Sequence, residues 1–412
     1  MTSSIISPLK LRRSPGLGFW AVAFAFTTVM AFTTVPTPLW SLYAQRDRFS
    51  SLTVTIAFAV YALAVALSLF LVGHLSDSFG RRRVLMPALA LEILAGLVFV
   101  AWSSLPALLA ARVLSGLGIG AVTATAMAWI SELGAGRRRA QIVATAANLG
   151  GLGIGGLISG ALAQWTSPAL VVPYAVMTVA MLLAWAALLV APETRDRPSP
   201  RPRYRPQRVS VPARSRGRFF AATLDAAIVF AVFGLLTSLA PSFLAGILHQ
   251  PSHLLAGAVP FAAFATAALA QMLTASRTTP QLLSAAIPAL LTGLGLLTIA
   301  LWLPSPSFGV FAAGDVVVGI GCGLMFKGAI ATVTEISAVE HRAEALAGLY
   351  LASYLGLAVP VIGLGVLTQI ASTRVSLLVF AALLALGILA AAPALLGRRG
   401  SHPSVATTTP ST

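Results

Sequence analysis

Charge is what this sequence has least of. Only 9% of its 412 residues are Asp, Glu, Lys or Arg, and the acids number 11. Soluble globular chains are about one quarter charged, so a water-exposed fold is excluded. Cysteine is almost missing as well. Cys322, alone and inside an apolar run, rules out an intrachain disulfide and leaves the redox compartment unreadable. The five histidines, His74, His249, His253, His341 and His402, form no cluster. No nucleotide-binding loop, metal-ligand spacing or nucleophile triad is present. These absences argue against an enzyme and against any cofactor or metal, and without an ATP site any work must draw on a gradient.

What is present is apolar sequence in long runs. Hydrophobic residues make up 58% of the chain, and the mean hydropathy is +0.90. Runs of spanning length fall at 16–40, 52–74, 83–103, 105–131, 138–164, 168–191, 218–244, 253–275, 280–303, 307–333, 343–370 and 374–396. Each is about long enough to cross a ~30 Å hydrocarbon core at 1.5 Å per residue. Twelve crossings put both termini on one side. The first run follows Lys10, Arg12 and Arg13 without a small-residue cleavage site, so it reads as a retained helix.

The formal charge of +16 would suggest nucleic acid in a soluble protein. Here the basic residues sort by membrane side instead. With the N-terminus inside, 22 of the Lys and Arg residues face the cytoplasm against three outside, Arg46, Arg48 and Arg374. The positive-inside rule then fixes a multi-pass protein of the cytoplasmic membrane, with both termini cytoplasmic and no nucleic-acid partner. Residues 192–217, rich in Pro and Arg, cannot bury a core and read as an extended basic linker. The expected organisation is a six-helix bundle over 1–191, that linker, a second six-helix bundle over 218–397 and a disordered tail over 398–412.

The halves repeat. Shifting by 203 residues lays Pro38 on Pro241, Gly116 on Gly319, Gly118 on Gly321, Gly120 on Gly323, Glu132 on Glu335, Arg139 on Arg342 and Gly153 on Gly356. Two charged matches and a proline at one offset indicate a parallel repeat.

Between the second and third runs lies Gly73-His74-Leu75-Ser76-Asp77-Ser78-Phe79-Gly80-Arg81-Arg82-Arg83. Its two glycines allow a tight reversal. The stretch resembles the loop 2–3 signature of the major facilitator superfamily, matched at Gly73, Leu75, Asp77, Gly80, Arg81, Arg82 and Leu85, with Ser78 where a basic residue is usual. The copy in the second half, Ser276-Arg277-Thr278-Thr279-Pro280, keeps one basic residue. Pro192-Glu193-Thr194-Arg195 resembles the close of helix 6 in that superfamily, and Arg112 with Gly116 and Gly118 resembles a helix 4 pattern associated with proton-coupled members. The run from Gly150 to Gly160 partly resembles the helix 5 motif of antiporters, with Gly156 in place of a proline and Ser159 in place of a glycine. These resemblances imply an all-α membrane protein of two pseudo-symmetric bundles, with Glu132 pairing Arg81 or Arg82 and Asp77 capping the start of the eleventh helix near Ala343. Those residues together would form a gating loop that latches the halves. The rival reading of Glu132 is a solvated surface salt bridge.

A charge inside a spanning run costs several kcal/mol unless it is paired or hydrated. Five such residues stand out: Glu92, Arg112, Asp225, Asp315 and Lys327. Desolvation favours the neutral form of a carboxylate, suiting it to take up and release a proton. Asp225 leads as proton carrier, because the seventh helix lines the cavity in the resembled fold; Glu92, on a peripheral helix, ranks below it. The rival reading of Asp225 is an acid in a hydrated vestibule. Arg112 either joins the coupling or bonds a neighbouring helix's backbone; by the repeat it matches Asp315, and the two are expected to meet when the outer mouth closes. Lys327 is expected to snorkel toward the basic side. Thr33, Thr34, Thr37, Asn148, Gln271, Tyr350 and Tyr354 offer polar contacts to a substrate, although helical Thr often bonds its own backbone.

Together these features describe a secondary transporter in the lipid bilayer, and the resemblance implies a monomer. It would move a small-molecule solute by alternating access, with protons driving efflux of the drug-antiporter type. The alternative is a proton symporter or uniporter importing a metabolite.

Overall fold

The structure is a computed structural model that describes residues 15–73, 75–195, 208–211 and 215–396. The terminal basic residues Lys10, Arg12, Arg13, Arg398 and Arg399, His74, most of the 192–217 linker and the 398–412 tail lie outside the described residues. Twelve helices are long and apolar enough to cross a membrane, and no strand occurs among the described residues.

In chain order the spanning helices are α1 Pro15–Thr34, α2 Ser51–Val72, α3 Arg81–Ala101, α4 Leu105–Leu133, α5 Arg137–Trp165, α6 Val172–Ala187, α7 Arg216–Ser238, α8 His253–Leu273, α9 Thr279–Trp302, α10 Phe308–Ile336, α11 Arg342–Ile370 and α12 Thr373–Leu396. Short polar residues set their starts. Ser50, Ser252 and Ser307 accept from the third amide onward in α2, α8 and α10, and Thr278 with Gln281 forms a capping box on α9.

Two hydrophobic cores result. One is built from α1 to α6 and the other from α7 to α12. Four α11 residues, Tyr354, Leu357, Ala358 and Val361, belong to the first core, so α11 spans the seam between them.

The 203-residue repeat recurs as packing. A Cβ on Gly116 would strike Ala64 and the Tyr61 carbonyl of α2, and one on Gly120 would strike Ser68 and the Val65 carbonyl. Their repeats, Gly319 and Gly323, meet Ala263 and Ala267 of α8 in the same way. Gly118 faces α3 at Ala88 and Glu92, while Gly321 faces α9 at Leu290. Each bundle therefore has one helix whose glycines admit two neighbours at backbone range.

Prolines break the first crossing. After α1 ends at Thr34 the chain makes a 3-10 turn, Thr37–Leu39, and a short helix, Trp40–Asp47, because Pro36 and Pro38 lack the amides that α1 would need. Side chains take the freed carbonyls. Arg112 Nη1 donates to Thr33 O at 3.3 Å, and Ser159 Oγ donates to Val35 O at 2.7 Å. Thr34 Oγ1 in turn donates to Leu152 O at 2.7 Å. The break thus rests on α4 and α5.

Candidate functional site

Between the bundles lies a central cavity of about 110 Å³. Eight aromatic rings wall it: Phe58, Tyr61, Phe230, Phe233, Phe264, Phe326, Tyr350 and Tyr354. Several interlock, with Phe233 stacked on Phe264 at 4.4 Å and Phe230 edge-on to Tyr354 at 5.2 Å between ring centres. Polar contacts come from Thr33, Thr34, Thr123, Thr237, Asn148 and Gln271. Asn148 lies in a π-helical turn, Ala146–Gly150, that interrupts α5. Such turns recur at functional sites because they change the direction of the side chains that follow.

Of the polar residues expected to face a substrate, all but Thr37 line this cavity. Thr37 is buried in the 3-10 turn beyond it. The surroundings of Thr33 and Thr34 also answer the concern about backbone bonding. Thr33 bonds Val29 O at 3.3 Å, and Thr34 bonds Ala31 O of its own helix at 3.2 Å while also reaching Leu152 O of α5.

The cavity opens toward the face bearing Arg81 to Arg83, which we term the basic face. Two mouths lead there. One, of about 210 Å³, lies between α2 and α11 and is lined by Leu69, Gly73, Asp77, Ala343 and Leu346. The other, of about 260 Å³, lies between α5 and α8 and is lined by Arg138, Gln141, Met272 and Lys327. At the opposite face the same helix pairs are shut. Gly156 packs against Gly257, Gly160 against the His253 carbonyl and Gly365 against Thr55. Gln164 Oε1 accepts from the first amide of α8, His253 N, at 3.0 Å.

Charged residues behave differently from expectation. Arg112 and Asp315 form no ion pair, although the opposite face is closed. The guanidinium is caged by the rings of Tyr61, Phe58 and Trp40, at 4.4, 5.5 and 5.9 Å, and by the carbonyls of Thr33 and Ala57. The aromatic faces and the loosened α1 carbonyls supply what a carboxylate would. Asp315 is buried, and its Oδ1 has no hydrogen-bond partner. Asp225 is likewise buried with Oδ1 unpartnered, and it does not line the cavity or either mouth; α7 contributes Val229, Phe230, Phe233 and Thr237 instead. Asp225 stands one helical turn from Val229, on the basic-face side. Glu92 is fully buried in the space Gly118 leaves. Lys327, by contrast, does reach toward the basic side: it is half-buried at the α5–α8 mouth, where Nζ donates to Gln271 O at 2.8 Å.

The loop residues converge. Arg81, buried, donates to Asp77 Oδ1 at 2.7 Å, Ser76 Oγ at 2.7 Å and Glu132 Oε1 at 2.8 Å. Gly80, with φ +99°, makes the turn that starts α3, and a carboxylate caps the free amides there. That carboxylate is Glu193, which accepts from Arg81 N at 2.8 Å and Arg82 N at 3.1 Å. Arg195 adds a second cation, 3.0 Å from Glu132 and 3.7 Å from Asp77. Asp77 therefore does not cap α11. It and Ala343 line the same open mouth, and Asp77 is held within its own bundle by Arg81. Sequence reading placed Pro192-Glu193-Thr194-Arg195 only as a helix ending; its acid two residues after the sixth apolar run was the available sign of a cap.

Twelve spanning helices in two cores, with a cavity between them, are the architecture of secondary transporters built from repeated bundles. A profile of the Major Facilitator Superfamily matches residues 19–290. The chain belongs to that superfamily. It is 29% identical over 153 residues, 36% of its length, to an uncharacterized MFS-type transporter of Mycobacterium tuberculosis. It is also 29% identical over 101 residues, 23% of its length, to the bacillibactin exporter of Bacillus subtilis. These matches span about a quarter of each relative's length, 26% and 25%. In fold it is similar to the crystal structure of the human organic anion transporter MFSD10, with TM-score 0.64 and 15% identity over 93% of this chain and all of that one. As a member of that superfamily it is a multi-pass membrane protein of a transporter family, not of an enzyme family.

Proposed function

We propose that the chain is a monomeric, proton-coupled exporter of small organic solutes in the cytoplasmic membrane, with the basic face and both termini toward the cytoplasm. The positive-inside distribution of Lys and Arg supports this orientation. The cavity then opens to the cytoplasm, the side from which an exporter loads. The bacillibactin exporter among its relatives favours the same direction.

One observation carries the coupling. Asp225 is buried and unpartnered one turn below the cavity wall. An ionised carboxylate left there without a counter-ion costs several kcal/mol, so this acid carries a proton while the cavity faces the cytoplasm. In the exporter cycle that proton is taken up while the cavity is open to the other side and given up to the cytoplasm as substrate loads, so protons run inward as solute runs out. Glu92 and Asp315 share the burial but sit against α4 and above the cavity, and they rank behind it. The gating loop, Gly73, Asp77, Gly80, Arg81, Arg82 and Glu132, acts as the basic-face latch that Asp77 completes against α11 when that face closes.

Everted membrane vesicles test this reading. A transported compound is expected to accumulate only when the vesicle lumen is acidic, and Asp225→Asn is expected to abolish that accumulation while leaving gradient-free exchange. Accumulation indifferent to the gradient would remove proton coupling. Uptake driven in the opposite direction would favour the importing symporter.

A further inference from the structure

The mouth between α5 and α8 differs from the cavity it feeds. They share Asn148, Leu149, Gln271, Phe326 and Tyr350, but the cavity is walled by neutral side chains, whereas the mouth adds Arg138 and Lys327. No carboxylate lines either space. Glu92, Asp225 and Asp315 stay outside both, and Asp77 belongs to the other mouth.

Lys327 is the more telling of the two cations. It is half-buried on α10, next in sequence to the cavity residue Phe326. Nζ donates to Gln271 O at 2.8 Å and contacts Thr274 Oγ1 at 3.4 Å. An ammonium has three N–H donors. Two go to neutral acceptors, and no acid pairs with Lys327 among the described residues. A cation held at the edge of the bilayer interior without a counter-ion is expensive unless one arrives.

We propose that the substrate is an amphipathic organic anion with an aromatic body. Its acidic group binds Lys327 at the α5–α8 mouth, and its ring lies against Phe326, Phe230 and Tyr350 in the cavity. Arg138, exposed at the rim, draws the anion in. A cationic compound entering by this mouth would pass both bases and meet no acid. This rests on the transport reading above and narrows its substrate class. The plainer role of Lys327, closing the carbonyl end of α8, predicts no preference between charges.

Three probes of one shape separate these: 2-naphthoate, 2-naphthamide and 2-naphthylmethylammonium. Binding to the full chain in nanodiscs is measured by competition against tritiated 2-naphthoate, and by direct titration for variants that lose it. The wild type is expected to bind the naphthoate at least about tenfold tighter than the ammonium, the scale of one charge-assisted hydrogen bond. Lys327→Met is expected to bring the naphthoate down to the naphthamide, whose own affinity stays unchanged and shows that the fold is intact. Lys327→Arg keeps the order. If Lys327→Met loses all three probes, Arg138→Gln decides: a naphthoate-specific loss there supports the anion site, and an equal loss of all three overturns it. Equal or tighter binding of the ammonium by the wild type overturns the proposal, as does failure of all three to bind. Counterflow in proteoliposomes keeps the two readings apart. Exchange of the amide or ammonium without preference for the naphthoate leaves transport standing and removes the anion.

Discussion

The two bundles solve one problem with different chemistry. Each must tie the loop before its third helix to the end of its fourth. In the first bundle the acid at that end, Glu132, is held by Arg81, Arg195 and Thr194. Its repeat, Glu335 on α10, is held by Thr279 Oγ1 at 2.5 Å. The acid has kept its position and the cation has been exchanged for a hydroxyl. The first bundle also brings in the chain after its sixth helix, through Glu193 and Arg195. The tie is thus ionic and multiply connected in the first bundle, and among the described residues it rests on a hydroxyl in the second.

Breaking each tie measures that inequality. Arg81→Ala strips a buried guanidinium from Ser76, Asp77 and Glu132, and is expected to destabilise by about 2–3 kcal/mol. Thr279→Val removes one hydrogen bond to an acid with access to water, for about 1 kcal/mol. Thermal unfolding of both variants in detergent checks the ratio. Equal losses would show that the charged network adds nothing beyond its neutral counterpart.

Where the bundles agree, substitution should hurt equally. Gly116→Ala and Gly319→Ala each force a Cβ onto a backbone carbonyl of the neighbouring helix, and each is expected to cost about 1–3 kcal/mol. Gly295 and Gly363 have open space around the same position. Alanine there is expected to be neutral or to stabilise by about 0.5–1 kcal/mol, since glycine weakens a helix interior. A cost at Gly319 but none at Gly116 would mean that the repeat is one of sequence alone.

This division also explains what sequence could reveal. The number of crossings, the repeat and the glycine helices follow from periodicity and small residues, which backbone packing reads directly. Six cavity residues, from Thr33 to Tyr354, could be found because polar groups in an apolar run are conspicuous. The aromatic wall could not be separated from lipid-facing aromatics such as Trp20 and Phe24, which are exposed. Facing also decided the fate of the charges. Arg112 has an acid at its repeat position, yet the proline break in α1 offers it carbonyls, and three rings surround it. Ser159 looked like a departure from a glycine motif; its hydroxyl holds Val35 O, a contact that depends on where α1 breaks.

The smallest expected effect concerns the two ends of the molecule. At the basic face the halves are apart, while at the opposite face Gln164 of α5 reaches over and accepts from His253 N at the start of α8, with Ser252 Oγ at 3.4 Å. Helix starts carry unsatisfied amides and partial positive charge, so this amide oxygen serves as a removable cap across the seam. Much of the rest of the seam is close packing of Gly156, Gly160, Gly257 and Gly365 against the facing helix. Gln164→Leu is expected to remove about 1 kcal/mol from the closed arrangement of that face, a shift of roughly fivefold in its population. Spin labels at Trp165 and Gln250 report that face, and labels at Ile142 and Ala275 report the mouth between α5 and α8. The variant should lengthen the first distance and shorten the second in the same fraction of molecules. If the first pair separates while the second does not move, the ends are not coupled as one rocking unit. If neither moves, the glycine seam alone holds the face shut.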